Sequence, residues 1–175
     1  MSGNLRDIIY ADSKPIEQSH RRTLPRCRNP AQADHLQVKQ WFAQFRKATD
    51  QSRQSTLARN ICHALRLHTV LEEEIFYPAF LESTGDKHIH HEAEVEHQAA
   101  ERLIAEIEES MPSDDFFTAK VNVLGEMIKH HIKEEEKPGG MFAEARKVRM
   151  DLKGLGRELA QRKSQLEAEH QEQAA

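Results

Sequence analysis

Six residues carry the chemistry legible in this chain: His35, His68, Glu72, His97, His131 and Glu135. Two of the histidines are followed four positions later by a glutamate, His68 by Glu72 and His131 by Glu135. On a helix, positions i and i+4 lie one above the other on one face, so imidazole and carboxylate reach a common point. A lone histidine on an apolar stripe is ordinarily a core residue hydrogen-bonded to a neighbour. Here each of four successive stripes holds one, which sets the pattern apart. Burying two carboxylates without partners is costly, and a cation is the simplest compensation. The unit of a single His followed by His-x-x-x-Glu also occurs twice at nearly the same interval, as His35 with His68 and Glu72, then His97 with His131 and Glu135. Two helix pairs, each giving two imidazoles and one carboxylate, form a site with approximate two-fold symmetry, as two adjacent metal ions require.

Imidazole nitrogen with carboxylate oxygen in a bundle core is the donor set of di-iron and di-manganese proteins. A structural zinc site would be closed, tetrahedral and usually cysteine-containing. Cys62 lies off the His68 face and reads as a small core residue. Two bridging glutamates leave positions for an oxo or hydroxo bridge and for a small ligand such as dioxygen, peroxide or nitric oxide. His130 is the alternative to His131, but its stripe, with Val123 and Met127, is the less apolar. His88, His90 and His91 open the third helix and are expected to face solvent, with His90 two turns before His97 on the same face. Glu73, Glu74, Glu134 and Glu136 flank the two glutamates and read as a solvated face. Tyr77 and Trp41 read as packing residues.

Helices must hold these groups. The chain has 31 % charged and 6 % aromatic residues with only 7 Gly and 6 Pro, which suits helices better than a sandwich of short strands. Residues 1–33 carry Pro15, Pro25 and Pro30 without periodicity and read as an irregular arm, with a short helix near 5–11. From Asp34, residues His35, Val38, Phe42 and Phe45 mark the first helix face. Ile61, Leu65, His68, Glu72 and Ile75 mark the second, closed by Pro78 and the 83–86 turn. Ala93, His97, Ala100, Ile104 and Ile107 mark the third. Phe117, Val121, Leu124, Ile128, His131 and Glu135 mark the fourth, with Ser113 or Asp114 as its N-cap. Connections near residues 54, 85 and 112 keep the four histidines in one layer of an antiparallel bundle. The predicted fold is therefore an all-α, up-down-up-down four-helix bundle over 34–140. Residues 141–170 predict one further charged helix with a thin seam of Leu152, Leu155, Leu159 and Leu166. This tail, 141–175, docks on the bundle or extends from it.

The net charge of -4 gives no basic footprint for nucleic acid. No apolar stretch approaches the roughly 20 residues that span a bilayer, and the N-terminus lacks the charged start and apolar run of a signal peptide. Two cysteines make no disulfide framework. A cytoplasmic protein is the expectation.

The ordered motif His35, His68-x-x-x-Glu72, His97, His131-x-x-x-Glu135 resembles that of the hemerythrin-like proteins, the HHE cation-binding domain. The likeness runs from about Asp34 to about Leu166, and EEEIFYPAF (72–80), EVEHQAAERLIAEIE (94–108) and IKHHIKEEE (128–136) look like its bacterial branch. The resemblance implies the four-helix hemerythrin bundle with a non-heme, oxo- or hydroxo-bridged pair of iron ions. Three departures stand out. Oxygen-carrying relatives have His-x-x-x-His on the third helix, whereas Ala93 stands four residues before His97; Glu94 and Glu101 are the nearest substitutes. Arg28-Asn29-Pro30 starts the first helix just before His35. Lys137-Pro138-Gly139-Gly140 reads as an insertion that frays the fourth helix beside Glu135. Three functions follow: a module that binds or senses dioxygen, peroxide, nitric oxide or iron, acting through a protein partner or as a buffer; a catalase-like or peroxidase-like enzyme, favoured by the missing imidazole; or a metal-free helical interaction protein.

Overall fold

The computed structural model describes residues 30–173, and every regular element among them is helical. The helix expected near 5–11 and most of the 1–33 arm lie outside the described residues. In chain order the elements are α1 (Pro30–Lys47), α2 (Gln51–Leu71), a π turn (Glu72–Phe76), α3 (Tyr77–Thr84), α4 (Lys87–Glu109), α5 (Phe117–Glu136), α6 (Met141–Lys147) and α7 (Leu152–Gln173). Helices α1, α2, α4 and α5 close a ring in which each packs on its two neighbours. Short connections make consecutive members antiparallel, giving the up-down-up-down bundle.

Local chemistry sets the ends. Pro30 opens α1, where its missing N–H costs nothing. The first helix thus starts a full turn before His35, and His35 is buried. Asp50 caps α2 by accepting from the Arg53 N–H at 2.7 Å, so the first connection falls at 48–50 instead of near 54. Asp86 caps α4 through the His88 and Ile89 N–H groups, just after Gly85 ends α3 in the left-handed region at φ 69°. Neither Ser113 nor Asp114 caps α5. That helix begins after Phe116, and the Asp114 carboxylate turns back to accept from the Met111 N–H at 2.8 Å.

Pro78 does not end the second helix. The chain passes through a π turn into α3 and stays helical to Thr84. Pro78 has no N–H to donate, and it sits where the hydrogen-bond register changes, with the Tyr77 N–H bonding the Glu72 carbonyl. The fourth helix is likewise intact to Glu136, and Glu135 is buried. Gly139 turns the chain at φ 80°, and Gly140 packs directly on the Glu134 and Glu135 carbonyls, where a Cβ would overlap backbone. The 137–140 turn therefore clamps the end of α5.

The single helix expected over 141–170 is two. Arg149, at φ 59°, ends α6 in a left-handed cap, with the Met150 N–H reaching the Ala145 carbonyl at 3.1 Å. Asp151 then starts α7 by accepting from the Gly154 N–H. Helix α7 lies along the bundle. Leu159 is buried, Arg162 holds Glu74 through two hydrogen bonds of 2.7 and 3.1 Å, Lys163 pairs with Asp34, and the His63 and His170 rings stand 4.4 Å apart.

The core has two apolar parts. One, towards the 48–50 connection, gathers Phe42, Phe45, Leu57, Ile61, Ile104 and Leu124. The other joins Phe76, Tyr77 and Phe80 to Ala93 and to Met141, Phe142 and Ala145 of α6. A polar layer separates them. Along α4, Ala93 belongs to one part, Ala100 to the other, and His97 lies between.

Candidate metal centre

All six residues singled out by their spacing are buried and meet in that layer. Each bundle helix gives one imidazole: His35 from α1, His68 from α2, His97 from α4 and His131 from α5. They stand in two pairs. The Nε2 atoms of His35 and His68 are 3.1 Å apart, and those of His97 and His131 are 3.3 Å apart. The two carboxylates tie the pairs together. Glu72 Oε2 lies 3.2 Å from His68 and 3.4 Å from His97; Glu135 Oε2 lies 3.4 Å from His35 and 3.7 Å from His131. Each glutamate thus reaches both pairs, and Glu72 lies near both members of the second, with His131 Nε2 at 3.9 Å. Two metal-competent groups result, His35 with His68, Glu72 and Glu135, and Glu72 with His97 and His131, the donor atoms of each within 4.8 Å of one another.

The residues present fit a metal pair. Glu72 Oε1 and both Glu135 oxygens are buried with no hydrogen-bond partner. Buried carboxylate oxygens left this way are expensive and call for a cation. The four imidazoles also bound a cavity of about 20 Å³, the space of about one water-sized group.

An outer ring of carboxylates orients the imidazoles. Nδ1 of His35 faces Glu136 at 3.0 Å, that of His97 faces Glu73 at 3.2 Å, and that of His131 faces Glu96 at 2.7 Å. A carboxylate at Nδ1 holds the ring N–H there and leaves Nε2 as the basic, inward nitrogen. Tyr77 also belongs to the site. Its hydroxyl donates to Glu72 Oε2 at 3.2 Å and lies 3.2 Å from His97 Nε2.

Burial works against charge on every member, and neighbours decide the balance. Burial lowers the His35 pKa in spite of Glu136. It opposes the charged form of His68 as well, but Glu72 raises that imidazole above its ordinary value. Glu72 itself is held well below the usual carboxylate range, because His68, His131 and His97 outweigh burial. At Glu135, burial and the adjacent Glu72 charge outweigh His131 and His68 and push the carboxyl up to about 8. At His131, burial is overcome by Glu72, Glu96 and Glu135, which lift the imidazole to about 10. Protons thus occupy positions that a cation would take.

His131, not its neighbour, enters the layer; the His130 side chain is 62 % exposed. The positions read as solvated are more varied than their spacing suggests. Glu73 and Glu136 hold ligand-type imidazoles from outside, Glu74 pairs with Arg162, and Glu134 pairs with Lys137. Neither substitute for the absent third-helix imidazole reaches the layer, since Glu94 faces His90 and Glu101 is exposed. Trp41 packs on the core as expected. Sequence reasoning missed Glu96 and the role of Tyr77. Glu96 precedes His97 and lies on the face turned to α5. Tyr77 is five residues from Glu72, about 140° around a regular α-helix, and only the π turn aligns the two. His90, His91 and Glu94 also come within 4.8 Å of one another, in a half-exposed setting that is common without an ion.

No helix among the described residues is long and apolar enough to cross a membrane. Residues 32–138 match the family profile described as the hemerythrin HHE cation binding domain. No curated protein and no solved structure matches the chain.

Proposed function

The chain belongs to the hemerythrin HHE cation-binding family, and from that premise we propose that it is a non-heme di-iron protein that binds or senses dioxygen, peroxide or nitric oxide. The observation that carries the reading is the pair of buried glutamates, each reaching both histidine pairs. Two clusters that share a carboxylate, Glu72, suit two ions better than one. His35, His68, His97 and His131 would hold the ions through Nε2, with Glu72 and Glu135 between them. An iron pair in such a core supplies a redox couple and open coordination positions for a small ligand.

The chain's own groups do the rest. Glu136, Glu73 and Glu96 fix the ring orientations. The Tyr77 hydroxyl holds Glu72 and adds a buried proton donor beside His97. The apolar residues on both sides exclude bulk water. The metal-free interaction reading leaves both Glu135 oxygens buried with no hydrogen-bond partner, a cost that a cation would offset.

A second reading, a catalase-like or peroxidase-like enzyme, is favoured by Ala93. Its short side chain lies in the floor of a surface cleft that also reaches His131 and Glu135. One pair of assays separates the two. Optical titration of the reduced, iron-loaded protein with dioxygen and nitric oxide reports binding, and oxygen evolution or reductant consumption with added peroxide reports turnover. Stoichiometric spectral change without peroxide turnover supports the binding reading; sustained turnover supports the enzyme.

A further inference from the structure

A cleft of about 790 Å³ opens between α4, the end of α5 and the 137–140 turn. Its floor includes His131 and Glu135, and its walls carry Glu92, Glu96, His130 and Glu134. Four carboxylates and four imidazoles line it against one lysine, Lys137, which is taken up by an ion pair with Glu134. At the floor, Glu135 is only 3 % exposed, and neither of its oxygens has a hydrogen-bond partner. Glu96 connects outside and inside. Its Oε1 lies 3.3 Å from the exposed His130 Nε2, and its Oε2 lies 2.7 Å from the buried His131 Nδ1.

We propose that this cleft is the entry route for iron(II), with His130 and Glu96 as a transient binding pair that passes the cation to Glu135. Imidazole with carboxylate suits a divalent first-row metal. Carboxylates outnumber the one lysine of the lining, and an excess of one sign of charge in a cleft concentrates counter-ions and raises their rate of entry. The unpartnered Glu135 gives the arriving ion a destination. Ala93 keeps the way open, since its side chain stops at Cβ on the cleft floor. The inference rests on the di-iron reading above.

The test is anaerobic loading of the metal-free full chain with iron(II), quenched at intervals with a chromogenic chelator so that only internalised iron is protected. The double variant His130→Ala, Glu134→Gln removes the outer ligand and unmasks Lys137 without touching the six residues of the core. Loading should slow by about tenfold at low salt, with the final iron content equal to that of the unaltered chain. Loading of the unaltered chain should itself slow as ionic strength rises. Equal rates for variant and unaltered chain at low salt would overturn the route. So would a lower final iron content in the variant, which would place these residues in the centre itself. If the unaltered chain internalises no iron at all, the di-iron reading fails and the entry route fails with it.

Discussion

The Tyr77 hydroxyl donates to Glu72 Oε2 at 3.2 Å across a π turn, from five residues further along the same chain. A π turn commonly marks a functional position in a helix, and here it aligns a phenol with the carboxylate that joins the two histidine pairs. Hydrogen bonds to charged groups contribute about 1.5–3 kcal/mol. Tyr77→Phe should therefore lower the stability of the metal-free protein by about that amount, read as a smaller urea midpoint at unchanged slope.

The outer carboxylates should matter to metal affinity although they touch no metal. Loss of such a partner typically weakens binding by about 10–100-fold. Glu136→Gln, which keeps size and removes the charge facing His35 Nδ1, should do so. Competition with a chelator of known affinity measures it. Glu74→Gln, on the neighbouring surface and paired with Arg162, should leave affinity unchanged.

Metal binding should release protons. In the metal-free protein at neutral pH, Glu135 and His131 hold protons, since their pKa values lie at about 8 and about 10. A ligating carboxylate and imidazole nitrogen must give them up. Both pKa values lie above pH 7, so lowering the pH adds no help and keeps the protons bound. Apparent iron(II) affinity should fall as pH falls, by about tenfold per pH unit for each proton displaced. Calorimetry in buffers of different ionisation enthalpy counts those protons; a pH-independent affinity would contradict the account.

Gly140→Ala should unseat α6. A Cβ there overlaps the Glu134 and Glu135 carbonyls, which are helix backbone and cannot move aside cheaply. Overpacking of this kind costs about 1–3 kcal/mol. The midpoint of thermal unfolding should drop, and Phe142, which closes the layer beside His35, should become more exposed.

Much of this was legible in the sequence, because the core histidines repeat with the period of a helix face. His35, His68, His97 and His131 sit among Val38, Leu65, Ala100 and Ile128, and apolar neighbours at helical spacing forced them inward. The same periodicity hid Tyr77, since a π turn changes the register without an unusual residue beyond Pro78. It also hid the outer ring. Glu73, Glu96 and Glu136 look like exposed charges along their own helices, and only the neighbouring helix gives each one an imidazole. The break between α6 and α7 was equally silent, for its left-handed cap is Arg149 where a glycine would have announced it.

The central claim is that four histidines and two glutamates hold two iron ions. Elemental analysis of protein purified under iron-replete conditions, with its absorption spectrum, tests it most directly. The account predicts about two irons per chain and an oxo-bridge band in the near ultraviolet, both lost in His68→Ala and in His131→Ala. Protein that carries no iron, or only loosely held zinc, with the two variants indistinguishable from the unaltered chain, would contradict it.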